Sequence, residues 1–324
     1  IWSMGGILKK SKRMLVLWDH TFVERLWCMF ELAAFLKSHE KAAIAIRPTL
    51  LGPCSLTLFS SLSVAMVLLS LLINSRFYSY DLLALLALAM LPTFYGTVVV
   101  FRKYCMSLQT LRSQLESFTV ATTQCHCCSV GHEEAGMPIL CDRKIVEECI
   151  QQWFGGEEAF TAMARSALLK AFADQLGYHL FPIRLLLLAT SPVLWGVLDQ
   201  SAAIARVGGS HTMWWLISGL GFWLGCIPIC AVFSLFIANK LRQPRNPWWD
   251  WMINLLVMFL MLPVFWLTFG LSLMLEHQDF EQKWIPATIF SSIMISTACV
   301  VWNLPWCWSS AWPFSYAQLT EPSL

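Results

Sequence analysis

The sequence predicts a mainly α-helical, polytopic membrane protein with about six transmembrane helices, a short N-terminal βαβ-like segment and a small helical cytosolic domain. Three observations predict it. Of 324 residues, 57% are hydrophobic and 13% charged, with a mean hydropathy of +0.59. A soluble protein carries about 25% charged residues, and half that leaves too few polar groups to coat a globule. The apolar residues also gather in nearly uncharged runs of the ~20-residue length a helix needs to cross about 30 Å of hydrocarbon. Finally, one long polar island, Arg102 to His179, interrupts these runs, so its side of the bilayer sets the topology of the rest.

The divisions follow the composition: a cytosolic segment 1–50, a transmembrane hairpin 51–101, the island 102–179, a four-helix transmembrane block 180–310 and a cytosolic tail 311–324. The opening Ile1-Trp2 reads as a fragment or processed product. Its basic cluster Lys9, Lys10, Lys12 and Arg13 follows the apolar residues, the reverse of a signal peptide. Met14–Trp18 is a short apolar strand. Asp19-His20-Thr21 turns the chain and offers short polar side chains to cap a helix over Val23–His39. Lys41–Ile46 is a second strand ended by Pro48. Strand, helix, strand makes a βαβ unit, which cannot bury both faces of its sheet alone.

Trp27-Cys28-Met29-Phe30-Glu31-Leu32, after a strand and a polar turn, resembles the W-C-x-x-E-L helix of TIR domains. The stretch Leu15–Phe35 is also similar to a segment of dinoflagellate-type multi-pass membrane proteins of protists. In TIR members that cleave NAD the motif's glutamate is catalytic, so the resemblance makes Glu31 the candidate. It covers about residues 14–48, a quarter of a TIR domain, and Arg25 stands where that family has a small serine. The rest of the sheet and the nucleotide-facing loops would have to lie upstream, and Glu31 is a catalytic candidate only in that case.

Six spans are expected: Cys54–Ile73, Leu82–Phe101, Leu180–Leu198, Met213–Ala238, Met252–Leu275 and Ile285–Trp308. Arg102 and Lys103 stop the second, and Arg184 snorkels from the end of the third. Loops on one side hold only Arg76, Arg206 and Lys283 among basic residues, which puts both termini and the island in the cytosol. Tryptophans at span ends, such as Trp214, Trp248 and Trp306, suit interfacial anchoring. Pro92, Pro192, Pro228 and Pro263 each remove a helical hydrogen bond and should kink their helices.

In the island, a helix continuing the second span runs to Phe118, and Thr119–Pro138 is a loop. Asp142 then caps a helix ended by Gly155-Gly156. A further helix, Glu157–Leu176, carries Phe160, Met163, Leu168 and Phe172 inward. Cys125, Cys127, Cys128, His132 and Cys141 form the one group with metal-ligand chemistry, because zinc takes four thiolate or imidazole donors. Their spacing is not that of a standard finger. A structural zinc, a redox or acylated cysteine cluster and simple thiol packing all fit, with Cys105 better placed than this group for palmitate.

A net charge of +2 gives no footing for nucleic acid. The implied partners are the lipid bilayer and cytosolic proteins at 1–50 and 102–179. No Walker loop or Ser/His/Asp arrangement appears, which argues against an enzyme. The expected function is a membrane-anchored signalling or interaction protein, with a carrier or channel for a neutral or lipid-like substrate as the alternative. A fragment of a TIR-type NAD-cleaving enzyme comes third.

Overall fold

The computed structural model describes residues 2–39, 43–73, 80–134, 137–176, 181–208, 211–243, 245–260, 267–268, 270–272, 274, 282 and 284–303. Among them the chain is mainly helical. They fall into two compact units, one drawn from 1–49 and 107–177, the other from 50–106 and 178–303.

In the first unit, β1 (Met14–Trp18) pairs in parallel with β2 (Ile44–Pro48), Val16 facing Ile46. Pro48 has no N–H to give at the end of the ladder, and the amide of Thr49 donates to Trp18 O instead, at 3.0 Å. Val16, Trp18, Ile44 and Ile46 point into the core, whereas Leu15 and Leu17 on the other face are each 59% exposed. Parallel sheets are ordinarily covered on both faces, so this one is half dressed.

Between the strands lies α2 (Leu26–Ser38), preceded by a 3₁₀ turn at Phe22–Glu24. The helix starts later than Val23, because Asp19 is engaged elsewhere. Its carboxylate accepts from the amide and hydroxyl of Thr21 at 3.0 and 2.9 Å, closing a local turn. No side chain caps α2; the amide of Leu26 donates to Gln124 O at 3.0 Å. Met29, Leu32, Ala33 and Phe35 are fully buried, against α1 (Trp2–Lys10), α6 (Asp142–Phe154) and α7 (Glu157–Leu176). Each large apolar side chain so buried contributes about 1.5–3 kcal/mol.

Phe160, Ala164, Leu168 and Phe172, four residues apart, form the fully buried stripe of α7. Met163, expected on that stripe, is 48% exposed, because a step of three from Phe160 carries it off a row running in fours. Gly155, in left-handed backbone with φ 82°, ends α6 where a Cβ would be strained. The segment expected as loop at Thr119–Pro138 contains local structure. A 3₁₀ turn at Val120–Thr122 and a one-turn helix α5 (His126–Ser129) precede a two-residue hairpin, β3 (Glu133–Glu134) with β4 (Met137–Pro138).

The second unit contains α3 (Leu51–Ile73), the beginning of α4 (Tyr80–Ser117), α8 (Ile183–Ala189), α9 (Ser191–Arg206) and α10 (Thr212–Gly221). A π turn (Phe222–Cys226) leads into α11 (Ile227–Lys240), and α12 (Pro247–Phe259) and α13 (Trp284–Asn303) follow. Among the described residues three helices are long and apolar enough to cross a membrane: Leu51–Leu71, Thr212–Lys240 and Trp284–Asn303. A fourth is added if α8 and α9 count as one broken span. They overlie the first, fourth, sixth and third expected spans. Leu82–Phe101 lies within the continuous helix α4; Met252–Leu275 begins within α12, and part of its second half lies outside the described residues, as does the end of the sixth expected span.

The third expected span is not a single helix. It breaks by 49° at Thr190 and continues to Arg206. Pro192, in the first turn of α9, cannot donate to the preceding turn, so the helix restarts there. The buried Thr190 hydroxyl bridges the break, donating to Leu186 O at 2.9 Å and accepting from Trp223 Nε1 at 3.2 Å. Pro228 leaves the carbonyl four residues back without its partner, and the π turn absorbs that lost register. Pro92 breaks nothing in α4. At Gly225 an added Cβ would lie 2.6 Å from Met294 Cβ and 2.7 Å from its carbonyl carbon, so the π turn and α13 meet at backbone distance.

Arg102 does not merely stop a span. It is 6% exposed and its guanidinium is surrounded by acceptors. Leu241 O receives Nε and Nη2 at 3.0 and 2.7 Å, Asn254 Oδ1 receives Nη1 at 2.6 Å, and Asp250 Oδ1 receives Nη2 at 3.0 Å. Asp250 and Asn254 sit one turn apart on α12 and share a face. Cys105 is 1% exposed, which withdraws it as a site for palmitate.

Candidate metal centre

The island's cysteines are brought together by a short run of backbone bonds. Cys125 is extended (φ −129°, ψ 132°) and opens α5, whose single turn carries Cys127 and Cys128. The chain then passes through two left-handed residues, Gly131 (φ 69°) and His132 (φ 63°). Glycine takes that backbone freely, and a histidine does so at a cost of roughly 1–2 kcal/mol. Two bonds hold it there: His132 N donates to Cys127 O at 2.8 Å, and Ile139 N donates to His132 O at 2.9 Å. The hairpin returns the chain to Cys141, which stands at the N-cap of α6.

The result is a four-donor cluster. One ligand atom each from Cys127, Cys128, His132 and Cys141 lies within 4.8 Å of all the others. Cys128 Sγ is 3.6 Å from His132 Nε2 and 3.9 Å from Cys141 Sγ. A tetrahedral zinc with bonds of about 2.3 Å to sulfur and about 2.05 Å to nitrogen has S–S edges of ~3.8 Å and S–N edges of ~3.6 Å. The two distances match those edges. Cys127 is buried and Cys141 half-buried, while Cys128 and His132 are exposed, so one side of the cluster opens to solvent.

The electrostatics favour thiolates at two corners. The thiol of Cys127 is lowered first by a hydrogen bond from Cys125, and then by the amide of Asp142, which points at its sulfur from 3.3 Å. Cys141 is lowered chiefly by the backbone N–H of Lys144, in the first turn of α6, where amides have no helical partner and the dipole is positive. Loss of hydration raises Cys128, exposed as the residue is, to about 11. It also raises Cys125. A bound cation would deprotonate such a thiol outright.

A second layer fixes the cluster to the rest of the unit. Trp27 Nε1 donates to Asp142 Oδ2 at 3.2 Å, so Asp142 serves α2 instead of capping α6 as expected. Arg143 donates to Val120 O at 3.4 Å and to Thr123 O. The amide of Ala121 reaches Glu157 Oε1 at 3.0 Å. The supporting roles of Asp142 and Arg143 are not encoded in any ligand spacing; their position directly after Cys141 is the one local signal for them.

Of the five donors singled out in the sequence, four thus converge. Cys125 stands behind them, its sulfur 2.8 Å from that of Cys127, and forms with Cys127 and Asp142 a second, three-donor group. Cys149, elsewhere on α6, lies outside both groups. Glu31 is half-buried on α2, one turn after Trp27, whose ring packs edge-on to Phe30 at 5.6 Å. Comparison of the chain with protein-family models, with curated proteins and with solved structures finds no match.

Proposed function

We propose that this chain is a multi-pass integral membrane protein, of about six helices with both termini cytosolic, whose polar unit is organised by a structural zinc and binds cytosolic protein partners. The observation that carries this reading is the quartet Cys127, Cys128, His132 and Cys141, gathered within 4.8 Å, whose Cys128–His132 and Cys128–Cys141 separations match edges of a zinc tetrahedron. Four protein donors leave no position open for water or substrate, which marks a structural rather than a catalytic zinc. The long apolar helices supply the anchor. The orientation rests on the scarcity of basic residues in the loops containing Arg76, Arg206 and Lys283. Leu15 and Leu17, exposed on the uncovered face of a parallel sheet, favour protein contacts over a role as a plain anchor.

Metal analysis of the full chain purified in detergent tests the carrying observation. One zinc per chain is expected, lost in Cys127→Ser and His132→Ala, and replaceable by cobalt with the visible absorption of a tetrahedral thiolate site. A chain that holds no metal, or that keeps it in both variants, overturns the reading.

The broken helix at Thr190 favours a second reading, a carrier for a neutral or lipid-like substrate. Irregular backbone at membrane depth ordinarily lines a cavity or is buried in protein. Solute flux in reconstituted vesicles that falls in Thr190→Val supports it, and unchanged flux removes it.

A further inference from the structure

We infer that Cys125 is a resolving thiol, and that peroxide converts the metal cluster into a form with a Cys125–Cys127 disulfide and no metal. The inference rests on the zinc reading above. It starts from a surplus: five donors crowd a site where a tetrahedral ion takes four. The fifth, Cys125, is 5% exposed, and its sulfur lies 2.8 Å from that of Cys127. A disulfide needs about 2.05 Å, so closure brings the two sulfurs together by under about 1 Å. The intervening residue, His126, begins a helix of only four residues, an element with little cooperative resistance to that adjustment.

The chemistry closes with one equivalent of hydrogen peroxide, entering on the side where Cys128 and His132 are exposed. The Cys127 thiolate sulfur attacks peroxide and the O–O bond breaks. One oxygen stays on sulfur as a sulfenic acid; the other takes a proton from solvent and leaves as water. The Cys125 thiol then attacks that sulfur, the S–S bond forms, the S–O bond breaks, and a second water departs with the Cys125 proton. The two sulfurs lose two electrons in all, and peroxide gains them. Cys127 is then no longer a thiolate donor, the quartet falls to three, and the amide of Asp142 points at a neutral disulfide sulfur, a weaker acceptor than the thiolate. A thiol reductant reverses the change. Without Cys125 the sulfenic acid lacks the partner placed at 2.8 Å, and a second equivalent of peroxide gives it one more oxygen, the other leaving as water, to form the irreversible sulfinic acid.

The test uses the full chain in detergent, loaded with zinc and treated with hydrogen peroxide. Zinc release is followed with a chromogenic chelator, and thiols are mapped by differential alkylation and peptide mass. The wild type is expected to release zinc with a Cys125–Cys127 linkage and to rebind it after reduction. Cys125→Ser is expected to bind zinc at the outset, release it to peroxide and fail to regain it after reduction. Release with Cys125 still open to alkylation, a Cys128–Cys141 linkage in place of Cys125–Cys127, or full recovery in Cys125→Ser would each overturn the inference. A wild-type chain that holds no zinc before peroxide overturns the zinc reading itself, so the two failures are distinguishable. The wild-type mapping decides the matter even where the variant does not fold.

Discussion

The thiol cluster of the polar unit and the Arg102 node of the apolar unit both tie separate segments together with polar groups, and they differ in what completes them. Arg102 brings a charge and finds its acceptors on the chain: Leu241 O, Asn254 Oδ1, Asp250 Oδ1 and, at 3.4 Å, Asp250 O. Cys127, Cys128, His132 and Cys141 each have an electron pair to offer, and together they form a group that could hold a metal ion. One node is completed within the chain; the other is a donor set that an ion could complete. They also differ in reach. The quartet spans residues 127–141, whereas Arg102 joins residues 139 to 152 positions away.

The most damaging change separates the two nodes directly. On the zinc proposal, treating the full chain with a chelator, or Cys127→Ser, should unfold the polar unit and leave the apolar helices in place. Structural zinc contributes on the order of 10 kcal/mol to folding in small domains. Limited proteolysis checks this: cleavage should appear throughout 107–177 and not in α10 to α13.

Next in size is Arg102→Met, which leaves acceptors for one buried cation unpaired. Removing one partner of a buried ion pair costs about 3–5 kcal/mol, here toward the lower end because Asp250 is partly exposed. Unfolding in mixed micelles should show the loss, with zinc content unchanged. Gly225→Leu follows, at roughly 1–3 kcal/mol for forced overpacking, because its Cβ would meet the backbone of Met294. The same assay should detect it, while Gly6→Ala, with open space at the Cβ, is neutral by that contact.

Acid perturbs the two nodes more gently and at different pH. The Arg102 hydrogen bond holds the Asp250 carboxyl below its ordinary value of 3.8. A depressed folded value means that proton uptake favours the unfolded state. The contribution is therefore whole above about pH 4 and fades as pH falls through the lowered value. Wild type should lose stability across that interval, and Arg102→Met should lose less. The metal cluster should fail at milder acidity, because protons compete with zinc for its thiolates. Zinc release during an acid titration, followed beside unfolding of the apolar unit, checks the order.

Much of this was legible from local pattern. Met14–Trp18 is the strand expected, and Glu157–Leu176 the helix expected, because their apolar spacing and their flanking turn residues agree. The donors of the candidate site were legible too, being the one place where thiols and imidazoles crowd. Which four of the five converge was not: that follows from the left-handed turn at Gly131-His132, which aims His132 at Cys128. Asp142 read as a cap because short acidic residues suit that position, but Trp27, 115 residues away, draws its carboxylate elsewhere. Pro192 signalled a kink, yet not that Thr190 and Trp223 would bridge it.

The amino-acid sequence by itself determined the apolar helices, the polar island and its store of metal-binding side chains, because burial period, chain length and donor chemistry are properties of neighbouring residues. The tertiary structure alone decided that Arg102 is saturated inside its unit, that the apolar helix breaks at Thr190, and that Cys125 lies behind the four-donor group rather than in it. Those outcomes depend on which distant carbonyls, amides and rings come within about 3 Å of a side chain, and no local spacing encodes such encounters.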